Sequence, residues 1–169
     1  MDILKTAIDW ARAEVFSTSF FIVAALLFLA ASVGFWQLGK TDLAKAYIIP
    51  TLVAGILLMT IGAGLVYTNK TRIVEFEKAY NIDASEFVKA ELVRTEATLK
   101  EYRNVVFTGI PIIIIACAIG LFFLSAPGWR ASLITAIAML SVILLIDGTA
   151  SARIQDYADQ LAVVEIDDK

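Results

Sequence analysis

The sequence predicts an all-α integral membrane protein with four transmembrane helices arranged as two hairpins. Of its 169 residues, 59% are hydrophobic, a larger share than an ordinary soluble domain carries. Four long stretches contain at most one charged residue each, and about 20 apolar residues are enough for a helix to cross a bilayer. Similar segments flank the first and second pairs of stretches. Together these patterns indicate a small multi-pass protein built from two related halves.

The apolar stretches define the predicted spans. Residues 15–39, 46–69 and 104–129 contain no charged residue, and the fourth span, within residues 131–152, contains only Asp147. Thr41 or Asp42 is a candidate helix cap in the first connection, and the second connection contains a proline followed by a glycine. The predicted segments are an N-terminal interfacial amphipathic helix (1–14), a first transmembrane hairpin (15–69), charged helical arms (70–103), a second hairpin (104–152) and an acidic tail (153–169).

The flanking segments are the signature of a duplication. Residues 12–17 resemble residues 103–108, and residues 72–76 resemble residues 153–157. A tryptophan lies near the turn of each half, and tryptophan is enriched where a helix leaves the bilayer. The residues predicted as interface anchors are Trp10, Trp36, Trp129, Arg72 and Arg153. Chance similarity between apolar helices is the alternative explanation of the repeat.

The distribution of basic residues predicts the orientation. Eleven of the 14 Lys and Arg residues lie in the N-terminal segment, the arms and the C-terminal tail, and three lie in the two short turns. Basic residues accumulate on the cytoplasmic side of short loops. The sequence therefore predicts a protein of the cell membrane, of the bacterial inner-membrane type, with both termini and the arms in the cytoplasm.

The arms between the hairpins are predicted to form two helices that meet near Asp83. Asp83 precedes Glu86 by three residues, as in a capping box that starts a helix. The helix after it carries an apolar seam at alternating spacings of four and three. That seam is a candidate docking surface for a partner or a second copy, and its members are Val88, Leu92, Leu99 and Tyr102. The alternative is a solvated linker, because basic and acidic residues are balanced in the arms.

Asp147 is the best single candidate for a binding residue, with Thr149 and Ser151 beside it. A carboxylate near the edge of the hydrocarbon is unfavourable unless it is hydrated or paired, so it is a functional hypothesis by default. In the alternative interpretation, Asp147 only marks the level of the lipid headgroups.

The remaining composition excludes several functions. The chain has no histidine and one cysteine, Cys117, so neither a structural metal site nor a cofactor is predicted. There is no basic excess for binding nucleic acid and no catalytic constellation, so no enzyme is predicted. We expect a non-enzymatic accessory, scaffold or immunity-like module that acts through helix contacts and the arms. Its expected partners are the lipid bilayer and either a second copy or another membrane protein. The alternative is a homo-oligomeric channel or transporter with a path between subunits that involves Asp147.

Overall fold

A computed structural model describes residues 3–167, with side chains described up to residue 164. The acids of the predicted tail at positions 165, 167 and 168 therefore lie outside the described side chains. Within residues 3–167 the chain is all-helical apart from short connections, as predicted. The helical segments are α1 (Ile3–Leu38), α2 (Asp42–Ala46), α3 (Ile48–Ile82), α4 (Ala84–Glu101), a π-helical segment (Tyr102–Gly109), α5 (Ile110–Phe123) and α6 (Pro127–Asp167). Four helical stretches are long and apolar enough to cross a membrane.

The closest helix pair is α1 with α3, which run antiparallel along most of their length. Glycines on α3 allow this approach, since a methyl group at Gly62 would lie 2.9 Å from side-chain atoms of both Phe21 and Ile22. A methyl group at Gly55 would lie similarly close to side-chain atoms of Leu29. Small residues let helices in a bilayer pack through their backbones, and here they set the register between α1 and α3.

Capping side chains define both connections around α3. Thr41 caps α2, and its hydroxyl accepts a hydrogen bond of 3.1 Å from the amide of Ala44. Asp83 caps α4 by accepting a bond of 2.9 Å from the amide of Glu86. Both positions were predicted from the sequence as helix starts, and both caps satisfy amides that have no partner within the helix.

The helix that leads into the third span changes its hydrogen-bond pattern before it enters the span. Residues Tyr102–Gly109 form a π-helix, in which Ile110 donates to the carbonyl of Val105. Pro111 follows immediately and explains the change, because proline has no amide hydrogen and its ring clashes with the carbonyl four residues earlier. Widening the preceding turns relieves that clash, and such segments often occur at functional sites.

The N-terminal segment is continuous with the first apolar span rather than a separate interfacial helix. α1 begins at Ile3 and runs without a break to Leu38. One side of this segment packs against α3 and α6, in a core that also contains residues of α4. We call this end of the bundle the charged end, and its buried core contains Ile3, Ala7, Trp10, Ala11, Phe76, Phe87, Val88, Ile154, Tyr157 and Leu161.

α6 is the helix that holds the bundle together. It contacts α1, α3, α4, the π-helical segment and α5. Within the described residues, α5 packs only on α6 and the adjoining π-helical segment, and α3 does not approach either of them closely. A gap therefore separates α3 from the π-helical segment, and α6 contacts both of them.

Candidate functional site

A polar cavity of about 210 Å³ lies at the charged end, where α1, α3, α4, the π-helical segment and α6 converge. Its polar lining includes Glu14, Asn69, Arg72, Arg94, Tyr102 and Asp147. Most of these residues lie near the end of an uncharged stretch of their helix. The cavity therefore lies beside the predicted membrane boundary. This is the place in the described chain where the most charged side chains meet.

Trp10 forms one wall of the cavity. Its indole stacks on the ring of Tyr157, with centroids 5.1 Å apart and planes 11° apart. The guanidinium carbon of Arg94 lies 4.7 Å from the indole centroid, and that of Arg72 lies 5.9 Å away. Contacts of this kind attract a cation to the aromatic face, so Trp10 helps to hold two arginines at one level of the bundle.

Glu91 connects α4 to α6 within this wall. Arg94 donates to the two Glu91 carboxylate oxygens, from Nε at 2.8 Å and from Nη2 at 2.6 Å. The Tyr157 hydroxyl donates to Oε2 of the same carboxylate at 3.1 Å. Burial raises the pKa of the Tyr157 phenol, and the negative charge of Glu91 raises it further. Tyr157 therefore stays protonated and keeps its role as a donor.

A second ion pair connects α1 to α6. Arg153 Nε donates to Oε1 of Glu14 at 2.9 Å, and the Glu14 side chain is 7% exposed. The sequence had indicated Arg153 only as an interface anchor. The long-range partner is favoured because it neutralises a carboxylate that is buried from solvent.

Three charged residues that line the cavity have no ion pair among the described residues: Arg72, Asp147 and Glu101, of which Glu101 is exposed to solvent. Arg72 Nη1 donates to the side-chain oxygen of Asn69 at 3.0 Å. No ion pair within 4.0 Å is found for Arg72 or Asp147 among the described residues. Burial lowers the pKa of the Arg72 guanidinium, and repulsion from Arg94 lowers it further. The cavity thus contains a cation on α3 and an anion on α6 that form no ion pair, although the negative charges of Glu91 and Glu14 partly offset the effect of burial on Arg72.

The predicted binding residues are separated by this geometry. Asp147 lines the cavity. Thr149 is exposed and its hydroxyl donates to the carbonyl of Ile146 at 2.8 Å, within its own helix. Ser151 is half-buried on α6 and does not line the cavity. Of these three residues, only Asp147 is brought together with other charged groups.

The apolar seam on α4 faces the interior of the same chain. Val88 belongs to the core of the charged end, and Leu92, Leu99 and Tyr102 pack against that core. Trp10 was grouped with the interface anchors but is 8% exposed and buried in the core. Trp36 and Trp129 are largely exposed near the two turns, where aromatic anchors are expected.

Sequence reasoning did not identify Glu14, Asn69, Glu91 or Arg94 as parts of one site. A signal was present on α4, because Glu91 lies three residues after Val88 and therefore on the side of the helix that was predicted to be apolar. A carboxylate on an apolar seam requires a partner. The partners on α6 could not be located without the helix packing.

The cavity presents charged and hydrogen-bonding groups to a ligand. Within the described part of the chain, no three Cys, Asp or Glu side chains come together as a metal ion would require. No protein-family model, curated protein or solved structure matches the chain. The functional argument therefore depends on the residues of the charged end.

Proposed function

We propose that the protein is a non-enzymatic membrane module, an accessory, scaffold or immunity-like protein that acts through its helices and its cytoplasmic arms. The observation that carries the proposal is the buried core of the charged end, where α1, α3, α4 and α6 pack together. A solvated linker would have no reason to bury Phe76 and Phe87 against α6 and α1. The arms are therefore suited to present a rigid surface.

The presented surface is the apolar groove where α3 turns into α4. The groove has a volume of about 360 Å³ and is lined by Phe76, Ile82 and Phe87. Ile82 is 86% exposed and is therefore available to contact a partner. The charged residues that line the groove are Glu75, Asp83, Glu86 and Glu91, all of them acids. An apolar groove with an acidic rim fits a partner segment that carries an apolar side chain flanked by Lys or Arg.

Photo-crosslinking in intact cells tests this proposal. A photoreactive amino acid in place of Ile82 is expected to give an adduct with a second protein. The control position is Val93, which is 69% exposed on α4 but does not line the groove. Glu75→Lys together with Glu86→Lys should abolish the Ile82 adduct by repelling a basic partner. Equal adducts at both positions, or an Ile82 adduct that survives the charge reversal, would contradict the proposal.

The second candidate is a channel or transporter formed by several copies. The observation that favours it is the position of Asp147 on a polar cavity beside a gap between helices. Proton or ion flux into vesicles containing the purified protein tests this candidate. Transport requires a flux above that of empty vesicles and a change in that flux with Asp147→Asn. Flux equal to that of empty vesicles for both forms would exclude it.

We also propose that α1 with α3 and α5 with α6 are membrane hairpins that enter from the same side, as a parallel repeat. Each pair reverses at a short connection near an exposed tryptophan, Trp36 or Trp129. The repeated arginines, Arg72 and Arg153, both lie at the charged end. The two hairpins correspond only in their direction and in the position of their turns, because among the described residues the π-helical segment is found only before the second hairpin.

A further inference from the structure

The cavity at the charged end contains hydrogen-bond donors that the protein itself does not use. The Nε1 of Trp10 is buried without a partner, and Trp10 is 8% exposed. Arg72 uses Nη1 for Asn69, which leaves its other guanidinium nitrogens without a described hydrogen bond. Buried donors usually have partners. The other buried nitrogen without a partner is Nη2 of Arg153, which with Trp10 lines a neighbouring groove. Trp10 and Arg72 both line the cavity itself, so a bound oxyanion there would accept from the guanidinium nitrogens of Arg72 that Asn69 leaves available.

The opposite end of the cavity is acidic. Asp147 precedes Arg153 by six residues on α6, which places it about 9 Å nearer the apolar part of that helix. Glu14 also lines the cavity, and its Oε1 is occupied by Arg153. Oε2 of Glu14 has no described partner, so it and the Asp147 carboxylate are the available acceptors. An ammonium group at this end would compensate the charge of Asp147.

Charge balance excludes a simple anion as the best ligand. The pairs Glu14–Arg153 and Glu91–Arg94 are neutral as units, and Glu101, which also lines the cavity, is exposed to solvent. Of the partly buried lining charges, Arg72 and Asp147 remain as one cation and one anion without an ion pair. A ligand with only negative charge would leave Asp147 uncompensated and repel it. A ligand that carries both charges compensates the two residues, and Arg94 beside Trp10 adds attraction for a phosphoryl group, which often binds between arginines.

We propose that this cavity binds a zwitterion of the aminoalkyl phosphate class, with its phosphoryl group at Arg72, Arg94 and Trp10 and its ammonium group at Asp147. Two sources share this chemistry: a soluble aminoalkyl phosphate and the headgroup of an aminophospholipid. The gap between α3 and the π-helical segment lies beside the cavity. The proposed site is independent of the groove between α3 and α4.

Ligand binding to the full-length protein tests the proposal. The protein is placed in nanodiscs of phosphatidylcholine and titrated with O-phosphoethanolamine and 3-aminopropyl phosphate, followed by calorimetry and by thermal unfolding. Inorganic phosphate and ethanolamine are the single-charge probes. At least one aminoalkyl phosphate should bind about tenfold more tightly than either, because it compensates both charges. The proposal would be overturned if inorganic phosphate bound as tightly as the aminoalkyl phosphates, or if neither aminoalkyl phosphate bound.

Matched variants assign the two ends of the site. Arg72→Gln should abolish binding of the zwitterion, whereas Asp147→Asn should retain phosphate binding but remove the preference for the zwitterion. Lys70→Gln and Asp156→Asn alter exposed charges on the same two helices and should leave binding unchanged. Equal losses in the control variants would show a non-specific electrostatic effect and overturn the site. Thermal unfolding without ligand identifies any variant that fails to fold; for such a variant, Arg72→Lys or Asp147→Glu replaces it.

The same assay separates the two sources. Nanodiscs that contain phosphatidylethanolamine should raise the unfolding temperature of the wild type, and abolish binding of the soluble probe, if the headgroup occupies the cavity. If soluble binding is unchanged in those nanodiscs, the ligand is a soluble molecule. Either result supports the shared chemistry, provided that Arg72→Gln removes the effect.

Discussion

Glu14 and Arg153 lie 139 residues apart in the sequence, and their side chains form an ion pair of 2.9 Å between α1 and α6. The pair lies between the stacked rings of Trp10 and Tyr157 and the level of Asp147. It therefore joins the first and last long helices at the edge of the cavity. Closure of the bundle and formation of the cavity depend on the same contact.

Removing one member of this pair should destabilise the protein strongly. Arg153→Gln leaves the buried Glu14 carboxylate without its cation. Such a loss costs about 3–5 kcal/mol of unfolding free energy in a fully buried pair, and we expect about 3 kcal/mol or less here because the Arg153 side chain is 29% exposed. Glu14→Gln combined with Arg153→Gln should be more stable than Arg153→Gln alone. Thermal unfolding of the purified protein in detergent micelles measures both effects.

Arg12→Gln is the control for this experiment, because the Arg12 side chain is 68% exposed and its nearest carboxylate oxygen, on Asp9, is 3.8 Å away. Exposed pairs of this kind contribute little to stability. An unfolding temperature for Arg153→Gln equal to that of Arg12→Gln would show that the long-range pair does not stabilise the fold.

Tyr157→Phe tests the connection between α4 and α6. The phenylalanine ring can still stack on Trp10, but the bond of 3.1 Å to Glu91 is lost. A hydrogen bond to a charged group contributes about 1.5–3 kcal/mol, and we expect a destabilisation near the lower end of that range because Arg94 still pairs with Glu91. Tyr67→Phe on exposed α3 surface should have no measurable effect. Equal unfolding temperatures of the two variants would refute the assigned role of the hydroxyl.

Gly62 and Gly64 form a matched pair for testing the α1–α3 contact. A methyl group at Gly62 would meet Phe21 and Ile22 at 2.9 Å, whereas one at Gly64 would meet nothing within 4 Å. Gly62→Ala should destabilise the protein by about 1–3 kcal/mol through overpacking. Gly64→Ala should be neutral or slightly stabilising because alanine favours helix. Thermal unfolding in the same detergent distinguishes the two, and a milder effect at Gly62 would contradict the close packing.

The four long apolar helices could be predicted from the sequence because hydropathy and helix length are local properties. The caps at Thr41 and Asp83 were also predictable, since a cap depends on residues three positions apart. Asp147 was identified because a lone acid within an apolar stretch is conspicuous in a membrane protein. These features require no knowledge of which helices touch.

The rest of the charged end depends on long-range packing. The helical period of the N-terminal segment predicted one apolar side, but the period cannot say whether lipid or protein covers that side, and the buried residues include Trp10 and Glu14. The α4 seam posed the same question, and its Leu92 and Leu99 pack within the chain. The π-helical segment was not predicted, because a proline near a helix start indicates a local disturbance but not which hydrogen-bond pattern the preceding turns adopt.

The proposed orientation gives a further prediction through single cysteines. In a Cys117→Ser background, Gly128→Cys places a thiol in the first turn of α6, beside the second connection, where an added Cβ meets nothing within 4 Å. Val93→Cys places one on the exposed surface of the arms. If the basic segments are cytoplasmic, a membrane-impermeant maleimide should label Gly128→Cys on intact cells and Val93→Cys only after permeabilisation. Lys40→Cys should behave like Gly128→Cys, because a parallel repeat places both turns outside. Labelling of Lys40→Cys and Gly128→Cys from opposite sides would exclude two hairpins that enter from the same side, whatever the function of the cavity.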